Sequence, residues 1–189
     1  MNRFRALAAA LGLLLIAACA SVSPGARDAA APFDIVGRVL VSGEGRAFSS
    51  NLRWRHGGGS DELWLMSPVG QTLAHIRADG NGATLTTADQ QEYQAFSAEG
   101  LTRRALGWAL PLDGLRHWVR AKPAPGGEIA TLNRDAQGRV ERIEQGGWVI
   151  RYDYGDARPS PPLPRRLDLA SGGQRIRLVI DAWRSGEAQ

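Results

Sequence analysis

Few side chains in this 189-residue sequence are of a type that does chemistry, and their spacing narrows what each is for. Cys19 is the sole cysteine, so neither an intrachain disulfide nor a multi-cysteine metal site is available. His56, His75 and His117 lie far apart, without the H-x-x-x-H or H-x-H spacing that brings two imidazoles onto one ion. They read as strand or surface residues. There is no G-x-S-x-G elbow and no phosphate-cradling loop; clusters such as Gly57-Gly58-Gly59 lie between apparent strands and read as hairpin turns. The acid pairs Asp61-Glu62 and Glu141 with Glu144 fall on strand faces or ends expected to meet water. These residues predict no enzyme, no metal and no cofactor.

Cys19 is open to three readings, a buried structural thiol, a reactive one or a point of attachment, and what precedes it narrows the choice. Arg3 and Arg5 precede an apolar run from Ala6 to Ile16, and Ala17-Ala18 are small enough for a peptidase, which is the pattern of a secretory signal. A membrane-crossing helix needs roughly 20 apolar residues, whereas this run stops at Cys19 before the polar, turn-rich SVSPGARD. The order Ile16-Ala17-Ala18-Cys19 resembles the bacterial lipobox, which implies that residues 1–18 are removed and that Cys19 becomes a lipid anchor. Residues 19–32, small and broken by Pro24, Gly25 and Pro32, read as a flexible tether, and 33–189 as the folded domain. In such lipoproteins an aspartate after the cysteine signals inner-membrane retention. Ala20 stands there, so the expected address is the outer membrane, facing the periplasm.

Removing the leader lowers the basic residues from 23 to 21 against 19 acidic ones, a balance that argues against a nucleic-acid partner. The rest is long enough for one domain, expected to be monomeric, and six tryptophans with many isolated leucines supply apolar material for a core, a cavity or both.

From Phe33 the dominant period is two. In AFSSNLRWR, Phe48, Leu52 and Trp54 share one face while Ser49, Asn51, Arg53 and Arg55 share the other, the pattern of a half-buried antiparallel strand. DELWLMS, TLAHIRA and ATLTT follow as a meander of hairpins, separated by Pro68-Val69-Gly70 and by Asp79-Gly80-Asn81-Gly82. After Phe96 the period changes. Ser97 is placed to cap a helix carrying Leu101, Ala105 and Trp108, and Asp113 to cap a short one with Leu115, Trp118 and Val119 on one side. Strands resume over 128–134, 139–145 and 148–154. RPSPPLPRRLDL then crosses back in extended form, and QRIRLVIDAW is a last strand with Ile176, Leu178, Ile180 and Ala182 on one face. The sum is mainly β with a helical insertion: about ten or eleven antiparallel strands in a barrel-like sheet or a sandwich. Periodicity alone favours the plainer reading, a solid core, and cannot separate it from a half-open pocket lidded by the helices.

The words SPVGQTLAHI, LPLDGLRHWVRAKP, GGWVIRYDY and GGQRIRLVIDAW, in this order and behind a lipobox, resemble the LolB family of outer-membrane lipoprotein receptors. The resemblance implies an unclosed antiparallel β-barrel covered by short α-helices and enclosing a hydrophobic cavity. It implies a receptor that accepts acylated lipoprotein cargo from a LolA-like periplasmic carrier and inserts it into outer-membrane phospholipid. The family's protruding leucine, which helps deliver lipid to the membrane, corresponds here to Val69 between Pro68 and Gly70. The acyl-chain cavity is expected among Phe48, Leu52, Trp54, Leu63, Leu65, Leu85, Leu101, Leu106, Leu115, Trp118, Trp148, Ile176, Leu178, Ile180 and Trp183, with GWALPLDG (107–114) as a hinge for the helices. Arg38, Arg53 and Arg55 suit an acidic carrier surface and a solvated strand face equally. The alternative from another class is an outer-membrane lipoprotein acting as a structural or assembly subunit without lipid binding.

Overall fold

The computed structural model describes residues 30–155 and 162–184. The leader, Cys19 and the tether to Ala29 lie outside the described residues, as does part of the proline-rich crossing. Eleven strands form one antiparallel sheet: β1 (Phe33–Gly43), β2 (Arg46–Gly57), β3 (Ser60–Met66), β4 (Thr72–Asp79), β5 (Gly82–Thr87), β6 (Glu92–Ala95), β7 (Ile129–Arg134), β8 (Val140–Gln145), β9 (Trp148–Asp153), β10 (Arg166–Ser171) and β11 (Gln174–Arg184). Two helices, α1 (Ala98–Leu106) and α2 (Leu112–Trp118), interrupt it between β6 and β7.

The sheet order is β6-β5-β4-β3-β2-β1-β11-β10-β9-β8-β7. The first and last strands therefore pair at its middle, and β6 and β7 are its two edges. Side chains on a strand alternate between faces, and here the alternation sorts apolar from polar. One inward row runs Trp183, Ile35, Trp54, Leu63, Ile76, Leu85 across β11 and β1 to β5. Another runs Ile143, Ile150, Leu169, Ile176, Val41 across β8 to β11 and β1.

Along β11 the expected face holds except at one place. Ile176, Leu178 and Ile180 are buried, but Ala182 is exposed. The register slips between Val36 and Gly37: Gly37 faces Ile180 while Val36 faces Ala182, so Asp181 is the extra residue of a bulge. The bulge turns Ala182 outward and brings Trp183 in against Ile35. Gly37 is required there, because a Cβ on it would lie 2.0 Å from the Val179 carbonyl oxygen.

The helices depart from the pattern at the end of α1 and at the start of α2. Ser97 caps α1, its side-chain oxygen accepting the Gly100 N–H at 3.2 Å. The helix stops at Leu106 because Gly107 adopts φ +79°, a left-handed C-cap, so Trp108 leaves the helix and stacks on Phe48 at 6.2 Å. For α2 the capping position is Pro111, and Asp113 sits inside the first turn, bonded to Arg116. Edge strand β6 escapes the periodicity because Glu92-Tyr93-Gln94-Ala95 is mostly exposed and carries no apolar alternation.

Candidate functional site

The inner face of the sheet and both helices converge on one continuous apolar cluster. Of the expected cavity residues, Leu52, Trp54, Leu63, Leu65, Leu85, Leu101, Leu115, Trp118, Trp148, Ile176, Leu178 and Ile180 are buried within it. Phe48, Leu106 and Trp183 are partly buried and pack against it. These residues belong to distant strands and to both helices, and the topology gathers them on one side. Their packing is close in this conformation, and clefts reach its margins. One, of about 480 Å³, lies beside α2 and is lined by His56, Arg116, Trp118, Gln145 and Trp148 among others. A second, of about 530 Å³, is lined by Phe48, Leu106, Trp108 and Trp148 together with Arg46, Glu99 and Arg103.

Polar side chains tie the helical insertion to the sheet, and sequence reading missed them. Gln145 on β8 is buried; its Oε1 accepts the Trp118 Nε1–H at 2.9 Å and the Ala124 N–H at 2.8 Å, while its Nε2 donates to the Ala124 carbonyl at 2.8 Å. Gln174 on β11 exchanges two bonds with the backbone of Ala109, at 3.2 and 2.7 Å. Thr102 Oγ1 accepts the Leu110 N–H at 2.9 Å. Each clamp satisfies backbone or indole groups that burial would otherwise leave bare.

The third tie to the sheet corrects the expectation that Asp61 meets water. Its side chain is fully buried. Its Oδ1 accepts the Trp54 Nε1–H at 2.8 Å and lies 2.9 Å from His56 Nδ1, while Oδ2 lies 3.0 Å from an Arg116 terminal nitrogen on α2. His56 is likewise buried, not a surface residue. The signal was present: His56 continues the inward parity of Leu52 and Trp54, and Asp61 shares that of Leu63 and Leu65. By contrast His75 lies on the outer face, stacked on Trp64 at 5.0 Å and bonded to Glu62 at 3.1 Å.

The β3–β4 loop is a tight turn. The Ser67 N–H donates to the Gln71 carbonyl at 2.8 Å, the Gly70 N–H donates to the Ser67 carbonyl at 2.9 Å, and Gly70 takes φ +84°. Val69 stands between Pro68 and Gly70 with 81 % of its surface exposed. Phe33 pairs with His56, and His56 with Asp61, so the chain enters the domain at one end of the sheet and Val69 crowns the other. Arg38 pairs with Asp181 at 3.0 Å and Arg53 with Asp34 at 2.8 Å, while Arg55 is exposed. The hydrogen bond that Arg53 donates to the Asp34 carboxylate is the main cause that raises the Arg53 pKa.

Comparison with known proteins bears on this arrangement. The family model described as outer membrane lipoprotein LolB matches residues 31–183. An outer-membrane lipoprotein LolB from Azoarcus sp. (strain BH72) is 38 % identical over 188 residues, covering 96 % of each chain. Another, from Thiobacillus denitrificans, is 41 % identical over 174 residues, covering 88 % of this chain and 90 % of the relative. Among solved structures, a LolA superfamily protein from Nitrosomonas europaea superposes with a TM-score of 0.54 at 10 % identity, covering 85 % of this chain and 88 % of that one. That likeness establishes the fold: a mainly β sheet with a helical insertion. The match along nearly the whole described chain identifies this protein as a member of the LolB family, the outer-membrane lipoproteins of non-catalytic lipoprotein traffic.

Proposed function

We propose that the protein is anchored through Cys19 after removal of residues 1–18, accepts lipoproteins from a LolA-like carrier, and passes them into the inner leaflet of the outer membrane. The observation that carries this reading is the apolar cluster shared by the inner face of an open-ended sheet and two helices. The helices pack into it through residues such as Leu101, Leu115 and Trp118, and their polar ties to the sheet are a few side-chain clamps. Moving α2 and the 107–114 segment exposes that cluster to an acyl chain without unpairing any strand. The curved sheet then serves as an unclosed barrel around a hydrophobic cavity.

The need for such a cavity is energetic. Each buried CH₂ of an acyl chain is worth about 0.8 kcal/mol, so a long chain crossing water alone meets a barrier on the order of 10 kcal/mol. Passing it directly between two greasy interiors avoids that cost, and the direction follows from which interior binds better. Val69, the most outward apolar side chain of its loop, is the delivery point to lipid, framed by Pro68 and Gly70. The fourteen residues from Cys19 to Pro32 reach at most ~50 Å. Strand β1, with 11 residues, is ~36 Å long. The tether is thus long enough for the anchor and Val69 to meet one bilayer, although they leave opposite ends of the sheet.

The test is uptake of N-phenyl-1-naphthylamine by the mature protein, followed by displacement with a diacylated peptide. Saturable uptake that the acylated peptide reverses, and the unacylated peptide does not, is the expected result. A protein indifferent to the dye that still binds unacylated partners would be an assembly subunit.

A further inference from the structure

Asp61 is a charge that an acyl-chain cavity does not call for. An ion pair in an apolar interior adds little net stability over apolar side chains of the same shape, but it selects one arrangement of the elements that carry it. The elements here are β3 of the sheet and α2 of the insertion. Asp61 Oδ1 is occupied by Trp54 and His56, and Oδ2, which makes no hydrogen bond, faces Arg116 across 3.0 Å. The same Arg116 nitrogen lies 2.8 Å from Asp113 Oδ1, whose side chain is 88 % exposed. One guanidinium on α2 therefore has a carboxylate on the inner side and another on the outer side.

This distinguishes the pair from the clamps at Gln145 and Gln174. Breaking either of those strands backbone groups of Ala124 or Ala109. Parting Asp61 from Arg116 strands no backbone group: Arg116 keeps Asp113 in water, and Asp61 keeps Trp54 and His56 while its second oxygen meets water as α2 lifts. Beside the pair is the cleft of about 480 Å³, which gives α2 room to shift. We propose that Asp61 and Arg116 form the catch of the lid: positioning residues that hold α2 over the apolar interior and separate when it opens. The proposal rests on the reading of that interior as an acyl-chain site.

Hydrogen exchange of the mature protein, followed by mass spectrometry, tests it. Arg116→Met is expected to speed exchange across 110–119 about tenfold, in the range of ordinary coupling between two states, with β1 to β3 and β9 to β11 unchanged. Arg116→Lys, which keeps the charge within reach of Asp61, is expected to restore slow exchange. Asp61→Asn gives a second measurement on the sheet side, with the same local acceleration expected. Association of N-phenyl-1-naphthylamine should quicken in parallel with exchange. Unaltered exchange over 110–119 in Arg116→Met, or equal acceleration in every strand, overturns the catch and leaves a merely structural pair. Local acceleration without dye uptake in any variant retains the catch and removes the acyl-chain reading.

Discussion

Under the proposed function, replacing Val69 by glutamate is expected to separate acceptance of cargo from its release. With 81 % of its surface free, Val69 has about four-fifths of its side chain to offer a bilayer. Full burial of a valine is worth about 1.5 kcal/mol, so its insertion would contribute roughly 1.2 kcal/mol, a factor of about eight in rate or equilibrium. Glutamate forfeits this and adds the cost of bringing a carboxylate toward hydrocarbon, so Val69→Glu is expected to slow release into liposomes by tenfold or more, to order of magnitude. The turn itself survives, since its backbone bonds join Ser67, Gly70 and Gln71 and none uses the Val69 side chain. The assay loads a LolA-like carrier with a fluorescent diacylated protein, measures passage to the receptor by pull-down, and then measures cargo floating with liposomes. Val69→Leu adds about one CH₂, worth ~0.8 kcal/mol, and should hasten the last step roughly fourfold. Unimpaired flotation with Val69→Glu would remove the loop from the mechanism, and equal loss at both steps would show that it serves docking instead.

Two further expectations concern the scaffold. Gly37→Ala places a methyl group against the Val179 carbonyl, at the 2.0 Å approach of the β1–β11 bulge; a loss of about 3 kcal/mol, or more, is expected from urea denaturation. Gln145→Leu removes the partner of the Trp118 indole and of both Ala124 backbone groups. A loss of ~3 kcal/mol by the same measurement is expected, along with faster exchange at 118–127.

The inward rows of the sheet were legible because period-two burial needs no knowledge of the partner strand: Leu52 and Trp54, or Ile176, Leu178 and Ile180, declare their face locally. Ala182 did not, since its orientation depends on a bulge opposite Gly37 and bulges belong to pairs of strands, not to one. The helix stop at Gly107 is local chemistry, a glycine C-cap, which the i, i+7 spacing of Trp108 from Leu101 disguises as a continuing helix. Asp61 and His56 carry the parity of the inward face but the polarity of the outer one. A buried carboxylate becomes tolerable only when a cation arrives from elsewhere, here from Arg116 on a helix distant in sequence. Val69 was the easier case: a proline and a glycine around an apolar residue mark a turn whose side chain points out.

Those successes and failures share a cause that bears on function. What a strand buries by alternation is set locally and uniformly, and it yields an apolar wall without preference for what covers it. What closes the wall is set by few, long-range polar contacts: Gln174 to the α1–α2 connection, Gln145 to the segment after α2, Asp61 to α2 itself. A cover bound by apolar packing alone would slide among many near-equal positions, whereas directional bonds give it one seat and a defined way to leave. Under the function proposed above, in which the receptor excludes water at rest and admits chains on demand, the division is useful. The wall is the proposed source of affinity for lipid, and a handful of exchangeable polar contacts the proposed control on how often it is uncovered.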